Sequence, residues 1–214
     1  IKAPEDIEQH LRLPVLGVIP HLRKQTVQQA LDDPRSAFSE SYRSVRTALQ
    51  FSTDGGVPRT LLVTSAGAAE GKSTTALTLA RNFAQLGKSV LLVEADLRNP
   101  SLHRVLGMRA ETGLSSLLAG AASIGEVVNA TDDERLEVIL AGPLPPNPAE
   151  LLSGSRMLSM LSVAAQKYDQ VIIDGPPVLG IADAPILSNL VGGTLLVVQA
   201  GDTRIKTAQA AIKR

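Results

Sequence analysis

Residues 60–75 read TLLVTSAGAAEGKSTT, and the fold follows from this stretch. The apolar run Leu61-Leu62-Val63 leads into Gly71-Lys72-Ser73-Thr74, and Ala76, Leu77, Leu79, Ala80 and Phe83 follow at helical spacing. A sharp turn from strand to helix leaves successive backbone N–H groups unpaired and convergent at a positive helix end, where they surround phosphate oxygens. Gly71 lets the backbone come close, Lys72 brings a point charge to the β- and γ-phosphates, and the Ser73 hydroxyl completes the shell of a bridging Mg²⁺. Ala68, Ala69, Glu70, Gly71, Lys72, Ser73 and Thr74 are therefore the candidate nucleotide contacts, with ATP and Mg²⁺ the expected ligands. The loop is a variant, because Ala66 takes the first glycine position of G-x-x-x-x-G-K-[ST] and Gly67 stands one place late.

Outward from this loop, Gly87 and Lys88 close the helix, and apolar runs then alternate with helix-like stretches. The runs at 61–64, 89–93, 136–141, 171–173 and 194–199 are continuous rather than alternating, as burial on both faces of a sheet requires. The fold class is α/β: a three-layer α/β/α arrangement with a mostly parallel sheet, of the P-loop NTPase type. Upstream, Phe38, Tyr42, Val45 and Leu49 mark the buried stripe of a helix from which Glu40 and Arg43 point away, with Arg46 at its edge. Residues 1–35 read as an appendage to a domain over 36–214: a short helix from Pro4, a Pro-bounded strand over 14–20, and irregular chain over 21–35.

Among 214 residues, 21 basic and 21 acidic side chains cancel, so no nucleic-acid footprint is present. Cys is absent, which excludes thiolate metal sites, and His10, His21 and His103 are too scattered to form a ligand set. No run approaches the ~20 apolar residues of a membrane span. The first residue is Ile1, so the chain is expected to be part of a longer one.

Carboxylates end two further strands. Glu94 and Asp96 follow Val90-Leu91-Leu92-Val93 at i and i+2, which in extended chain places both on one side, toward the phosphates. Asp174 follows Val171-Ile172-Ile173. Ser73, Asp96 and Asp174 suit a Mg²⁺ that keeps several waters, while Lys72 neutralises phosphate charge and Glu94 or Asp96 serves as the base.

These residues carry a family likeness: the chain resembles the bacterial tyrosine kinases of capsule and exopolysaccharide synthesis. Their Walker A, Walker A′ (D-x-D-x-R) and Walker B motifs correspond to residues 66–74, to Glu94-Ala95-Asp96-Leu97-Arg98 and to Ile172-Ile173-Asp174-Gly175-Pro176-Pro177. The likeness continues through Pro100-Ser101-Leu102-His103, residues 145–152 and Asp183-Ala184. It implies an ATP-dependent protein-tyrosine kinase that phosphorylates its own oligomer and regulates polysaccharide polymerisation and export. Glu40-x-x-Arg43-x-x-Arg46 matches the family's ring-forming motif, and residues 4–20 resemble the segment that follows the last membrane span where kinase and transmembrane co-polymerase share a polypeptide. The resemblance thus implies a homo-oligomeric ring, tyrosine-containing protein substrates, and a place at the cytoplasmic face of the bacterial inner membrane.

The chain departs from the family at Glu94, which replaces an Asp, at Gly175, which replaces a Thr, and in lacking a tyrosine-rich tail. Tyr42 and Tyr168 are expected to be core or strand-start residues rather than acceptors. Two other readings stay open: an ATPase switch whose output is an oligomer state, and an assembly module without phosphotransfer. Gly67 stands where partition-type ATPases carry a signature Lys.

Overall fold

Apolar runs without alternation need cover on both faces, and the computed structural model, which describes residues 1–22 and 25–214, shows such a sheet. In chain order the elements are α1 (Pro4–Leu11), α2 (Val27–Asp32), α3 (Ala37–Gln50), β1 (Thr60–Ser65), α4 (Lys72–Gln85), β2 (Val90–Glu94), α5 (Leu102–Val105), α6 (Leu114–Leu118), α7 (Ile124–Val127), β3 (Val128–Ala130), β4 (Leu136–Ile139), α8 (Pro148–Ser153), α9 (Ser155–Lys167), β5 (Gln170–Asp174), α10 (Asp183–Ser188), β6 (Gly193–Val197) and α11 (Ile205–Ile212). The strand order is β3-β4-β2-β5-β1-β6, and every pairing is parallel except that of β3 with β4. The sequence reading did not predict β3, whose three residues are too few to show a period.

Each strand divides its side chains between two layers. Leu62, Leu91, Val93, Ile139, Val171 and Ile173 join Leu118, Met157, Leu161 and Leu187 from α6, α9 and α10. Leu61, Val63, Val90, Leu92, Val138 and Ile172 join Val45 and Leu49 of α3 with Ala76, Ala80 and Phe83 of α4. The predicted stripe of α3 is buried at Phe38, Tyr42, Val45 and Leu49, and Ser36 caps the helix by accepting the Ser39 N–H at 3.0 Å. Gly87 ends the α4 turn at φ +85°, with its N–H donating to the Ala84 carbonyl at 2.8 Å.

The N-terminal stretch requires two corrections. Residues 14–20 form no strand: the segment lies on α3, where an added Cβ at Gly17 would come 2.6 Å from Val45 Cγ2. Pro14 and Pro20 offer no N–H to a ladder, and Leu16 and Ile19 pack on a helix layer instead of joining a sheet edge. Within 21–35, α2 forms behind a capping box, as the Gln29 N–H donates to Thr26 Oγ1 (3.2 Å) and the Thr26 N–H to Gln29 Oε1 (3.0 Å). That T-x-x-Q signal was present in the sequence. Residues 23–24 lie outside the described residues. Helix α1 packs on α11, where Gln209 Nε2 donates to the His10 carbonyl at 3.2 Å.

Candidate active site

Strand order assembles the site. β5 lies between β1 and β2, so Asp174 has Val63 of the phosphate-loop strand on one side and Glu94 on the other. Three motifs far apart in sequence thereby end at one carboxyl edge, where open α/β sheets bind ligands.

In the loop itself, Gly71 caps α4 at φ +89°, a left-handed conformation that favours glycine. Ala69 adopts φ +61°, where an L side chain costs about 1–2 kcal/mol. The N–H of Thr75 donates to the Gly71 carbonyl at 2.9 Å, so the N–H groups just before it are those a helix start leaves for a ligand. The Glu70 carboxylate is committed elsewhere, accepting the Gly67 N–H at 2.8 Å and the Thr203 hydroxyl. Among the predicted nucleotide contacts, Ala68, Ala69 and Glu70 therefore have backbone groups to offer, while Lys72, Ser73 and Thr74 add side chains.

Lys72 Nζ lies 3.0 Å from Asp96 Oδ2, with both side chains nearly buried. Asp174 stands alongside, and both of its carboxylate oxygens are buried without a hydrogen-bond partner. Burial pushes its carboxyl up to about 7; the Lys72 charge opposes this, and Glu94 and Asp96 add to it. A buried carboxylate with neither oxygen satisfied suits a cation. Among the described residues, no group of three or more His, Cys, Asp or Glu side chains could hold a metal ion alone. That fits Mg²⁺, which uses one or two carboxylates together with substrate phosphates and water. Ser73, Asp174 and Asp96 are the side chains that would hold it.

Glu94, expected to face the phosphates beside Asp96, has both carboxylate oxygens taken by backbone donors. Its Oε1 accepts the Ser101 and Leu102 N–H groups, each at 2.6 Å, and its Oε2 accepts the Ala141 N–H at 3.0 Å. Glu94 and Asp96 both act on Asp174, but backbone donors already take both Glu94 oxygens. Gly175 also has a packing reason, since an added Cβ would come 2.7 Å from Leu62 Cδ1.

Sequence reasoning did not assign three further residues to the site. Arg98 forks onto the fully buried Asp183 at the start of α10 (Nε–Oδ2 2.9 Å, Nη2–Oδ1 3.0 Å), tying the loop after β2 to that helix. Ser101 Oγ lies 3.1 Å from Ser73 Oγ. All three stood in stretches that carry the family likeness, but only tertiary contact gives them roles.

The candidate assembly residues lie away from these strand ends on α3. Glu40 is exposed and pairs with Arg43, which also donates to the Pro34 carbonyl. Arg46 is half-buried against α4, donating to the Asn82 carbonyl at 3.4 Å, and its Nε is buried without a partner. Burial first, and the Arg43 charge second, hold its guanidinium below the usual arginine range. Tyr42, on the same helix, reaches Thr75 Oγ1 of α4 at 3.1 Å.

A family model described as an AAA domain matches residues 62–199. The chain is 43% identical over 182 residues to the tyrosine-protein kinase YwqD of Bacillus subtilis, covering 85% of this chain and 77% of that protein. It is 34% identical to the tyrosine-protein kinase etk of Escherichia coli, where it spans 32% of the relative's length. The solved kinase domain of E. coli ETK superposes with a TM-score of 0.92 at 33% identity, covering 100% of this chain and 88% of that one. The BceF tyrosine kinase domain gives 0.88 at 35%, covering 100% and 92%. A septum site-determining protein from Pyrococcus horikoshii, solved with Mg-ADP, shares the fold at a TM-score of 0.58 and 24% identity. With its phosphate loop, Asp96 and Asp174 gathered at one sheet edge, the chain belongs to the bacterial tyrosine-protein kinase family as a P-loop kinase domain.

Proposed function

We propose that this domain transfers the γ-phosphoryl of ATP to protein tyrosines, including those of neighbouring copies in its own ring, and thereby regulates capsule or exopolysaccharide polymerisation and export. The observation that carries the reading is the Lys72–Asp96 pair beside the unsatisfied Asp174. Phosphoryl transfer needs positioning and neutralisation of charge more than covalent help, and a lysine paired with one carboxylate beside a second, unsatisfied one supplies both. Backbone N–H groups at the start of α4 and Lys72 would hold the phosphates; Ser73, Asp174 and Asp96 would hold Mg²⁺, which neutralises charge when bound. Asp96, held against Lys72, is also the carboxylate that orients the acceptor hydroxyl and takes its proton.

The domain's two tyrosines are not acceptors in this reading. Tyr42 is 3% and Tyr168 6% exposed, so the acceptors lie on other segments or other proteins. Residues 1–35 are read as the membrane-proximal link to a transmembrane co-polymerase part, at the cytoplasmic face of the bacterial inner membrane. Among the described residues no helix is long and apolar enough to cross a membrane. Glu40, Arg43 and Arg46 are read as the ring contact.

The test follows γ-labelled phosphate in the full-length protein. Label on tyrosine, lost in Lys72→Met, is the expected outcome. Release of free phosphate with no phosphotyrosine would instead establish the ATPase-switch reading, which the fold shared with the septum site-determining protein keeps in view.

A further inference from the structure

The family's A′ motif carries Asp where this chain has Glu94, yet this residue is among the most completely bonded carboxylates in the domain. It is fully buried and accepts three backbone N–H groups from two separate segments. Oε1 gathers Ser101 and Leu102, the start of α5. Oε2 holds Ala141, just beyond β4, where the Leu140 and Ala141 carbonyls in turn accept the Leu114 and Ser115 N–H groups of α6 at 2.7 and 2.9 Å. The loop so anchored wraps the chemistry: the Asn99 N–H donates to Asp96 Oδ1 at 3.0 Å, and Ser101 Oγ meets Ser73 Oγ at 3.1 Å.

We propose that Glu94 is a positioning residue that fixes the 96–102 loop, and through it Asp96 and Ser101, against Lys72 and Ser73, and that it is not the proton acceptor. This rests on reading the site as one for Mg·ATP. The extra methylene is what the geometry demands. An Asp carboxylate would draw back by about 1.5 Å, turning contacts of 2.6–3.0 Å into separations beyond hydrogen-bond range. Restoring the family residue therefore harms this protein. A Gln, by contrast, keeps an oxygen for Ser101 and Leu102, though its NH₂ then faces the Ala141 N–H donor and that one bond is replaced by a donor–donor contact.

The test compares Glu94→Gln and Glu94→Asp in the full-length protein, by calorimetric titration of ADP with and without Mg²⁺ and by phosphotransfer across pH. Glu94→Gln is expected to keep kcat within roughly tenfold of wild type, with an unchanged pH profile. Glu94→Asp is expected to lose kcat by about a hundredfold or more, along with the Mg²⁺-dependent gain in ADP affinity, because a displacement on the order of 1 Å carries that cost. The opposite order, with Asp active and Gln inactive, identifies a base and overturns the proposal. If Glu94→Asp does not fold, Glu94→Gln decides alone: a roughly thousandfold loss with normal melting overturns it. If even the wild type labels no tyrosine, the kinase reading fails, while the ADP titrations still rank Gln above Asp or refute the assignment.

Discussion

Lys72 Nζ and Asp96 Oδ2 stand 3.0 Å apart in a nearly dry setting, with 11% and 4% of their side chains exposed. The cation that neutralises phosphate charge is thus held by the carboxylate proposed to orient the acceptor. Removing it leaves Asp96 and Asp174 buried without a countercharge. Lys72→Met is expected to lower the stability of the nucleotide-free protein by about 3–5 kcal/mol, the cost of breaking a buried pair. It should also abolish the stabilisation of about 2.7 kcal/mol that Mg·ATP gives wild type at 100 times its Kd. Calorimetric melting with and without ligand reads both effects, and a full ligand shift in the variant would refute the loop assignment.

Asp174 makes the nucleotide-free protein sensitive to pH. Its folded pKa, about 7, lies above the unfolded value of 3.8, so the folded state favours the protonated form. The stability from that proton is fully present below pH 4 and is lost as pH rises through 7. Asp174→Asn is expected to flatten this dependence and to be more stable than wild type at pH 8 by a few kcal/mol, while losing Mg²⁺-dependent nucleotide affinity. Parallel stability curves for the two proteins between pH 5 and 8 would contradict it.

The Arg98–Asp183 fork should respond asymmetrically to truncation. Asp183 is fully buried, whereas 43% of the Arg98 side chain is exposed. Arg98→Ala strands a buried carboxylate; Asp183→Ala leaves a guanidinium that reaches water. The first is expected to cost about 2 kcal/mol more than the second, or roughly 4–8 °C in Tm. Equal losses would mean that the contact contributes as ordinary packing.

Arg43 and Arg46 allow assembly to be separated from folding. The Glu40–Arg43 pair contributes only about 0.2–0.5 kcal/mol within α3, and the arginines otherwise lose one bond each to a carbonyl, Arg43 to Pro34 and Arg46 to Asn82 at 3.4 Å. Changing both arginines to Ala should reduce oligomer size in light scattering while shifting Tm by no more than a few degrees. Oligomers of unchanged size would remove these residues from the proposed ring contact.

The sheet was legible because its strands are continuous apolar runs; the phosphate loop was legible because its chemistry lies within a dozen consecutive residues. The α3 stripe could be read for the same reason, as a helix repeats within itself. Residues 14–20 misled because an extended Pro-bounded run resembles a strand, and nothing local says that Val45 of a helix, rather than another strand, will cover Gly17. Glu94 was a different case: its place at a strand end was legible, but nothing local says that the N–H groups of Ser101, Leu102 and Ala141 will take both of its oxygens.

Local pattern therefore settles the phosphate loop, its helix, the buried sheet and the supply of acids at strand ends, since each depends on neighbours a few residues away. Tertiary structure alone decides which partners each acid meets. Placing β5 between β1 and β2 sets Asp174 beside Lys72, and the distant N–H groups of Ser101, Leu102 and Ala141 take up both oxygens of Glu94. A carboxylate's role depends on whether its oxygens meet backbone donors, a lysine or nothing, and those partners come from segments up to about a hundred residues away.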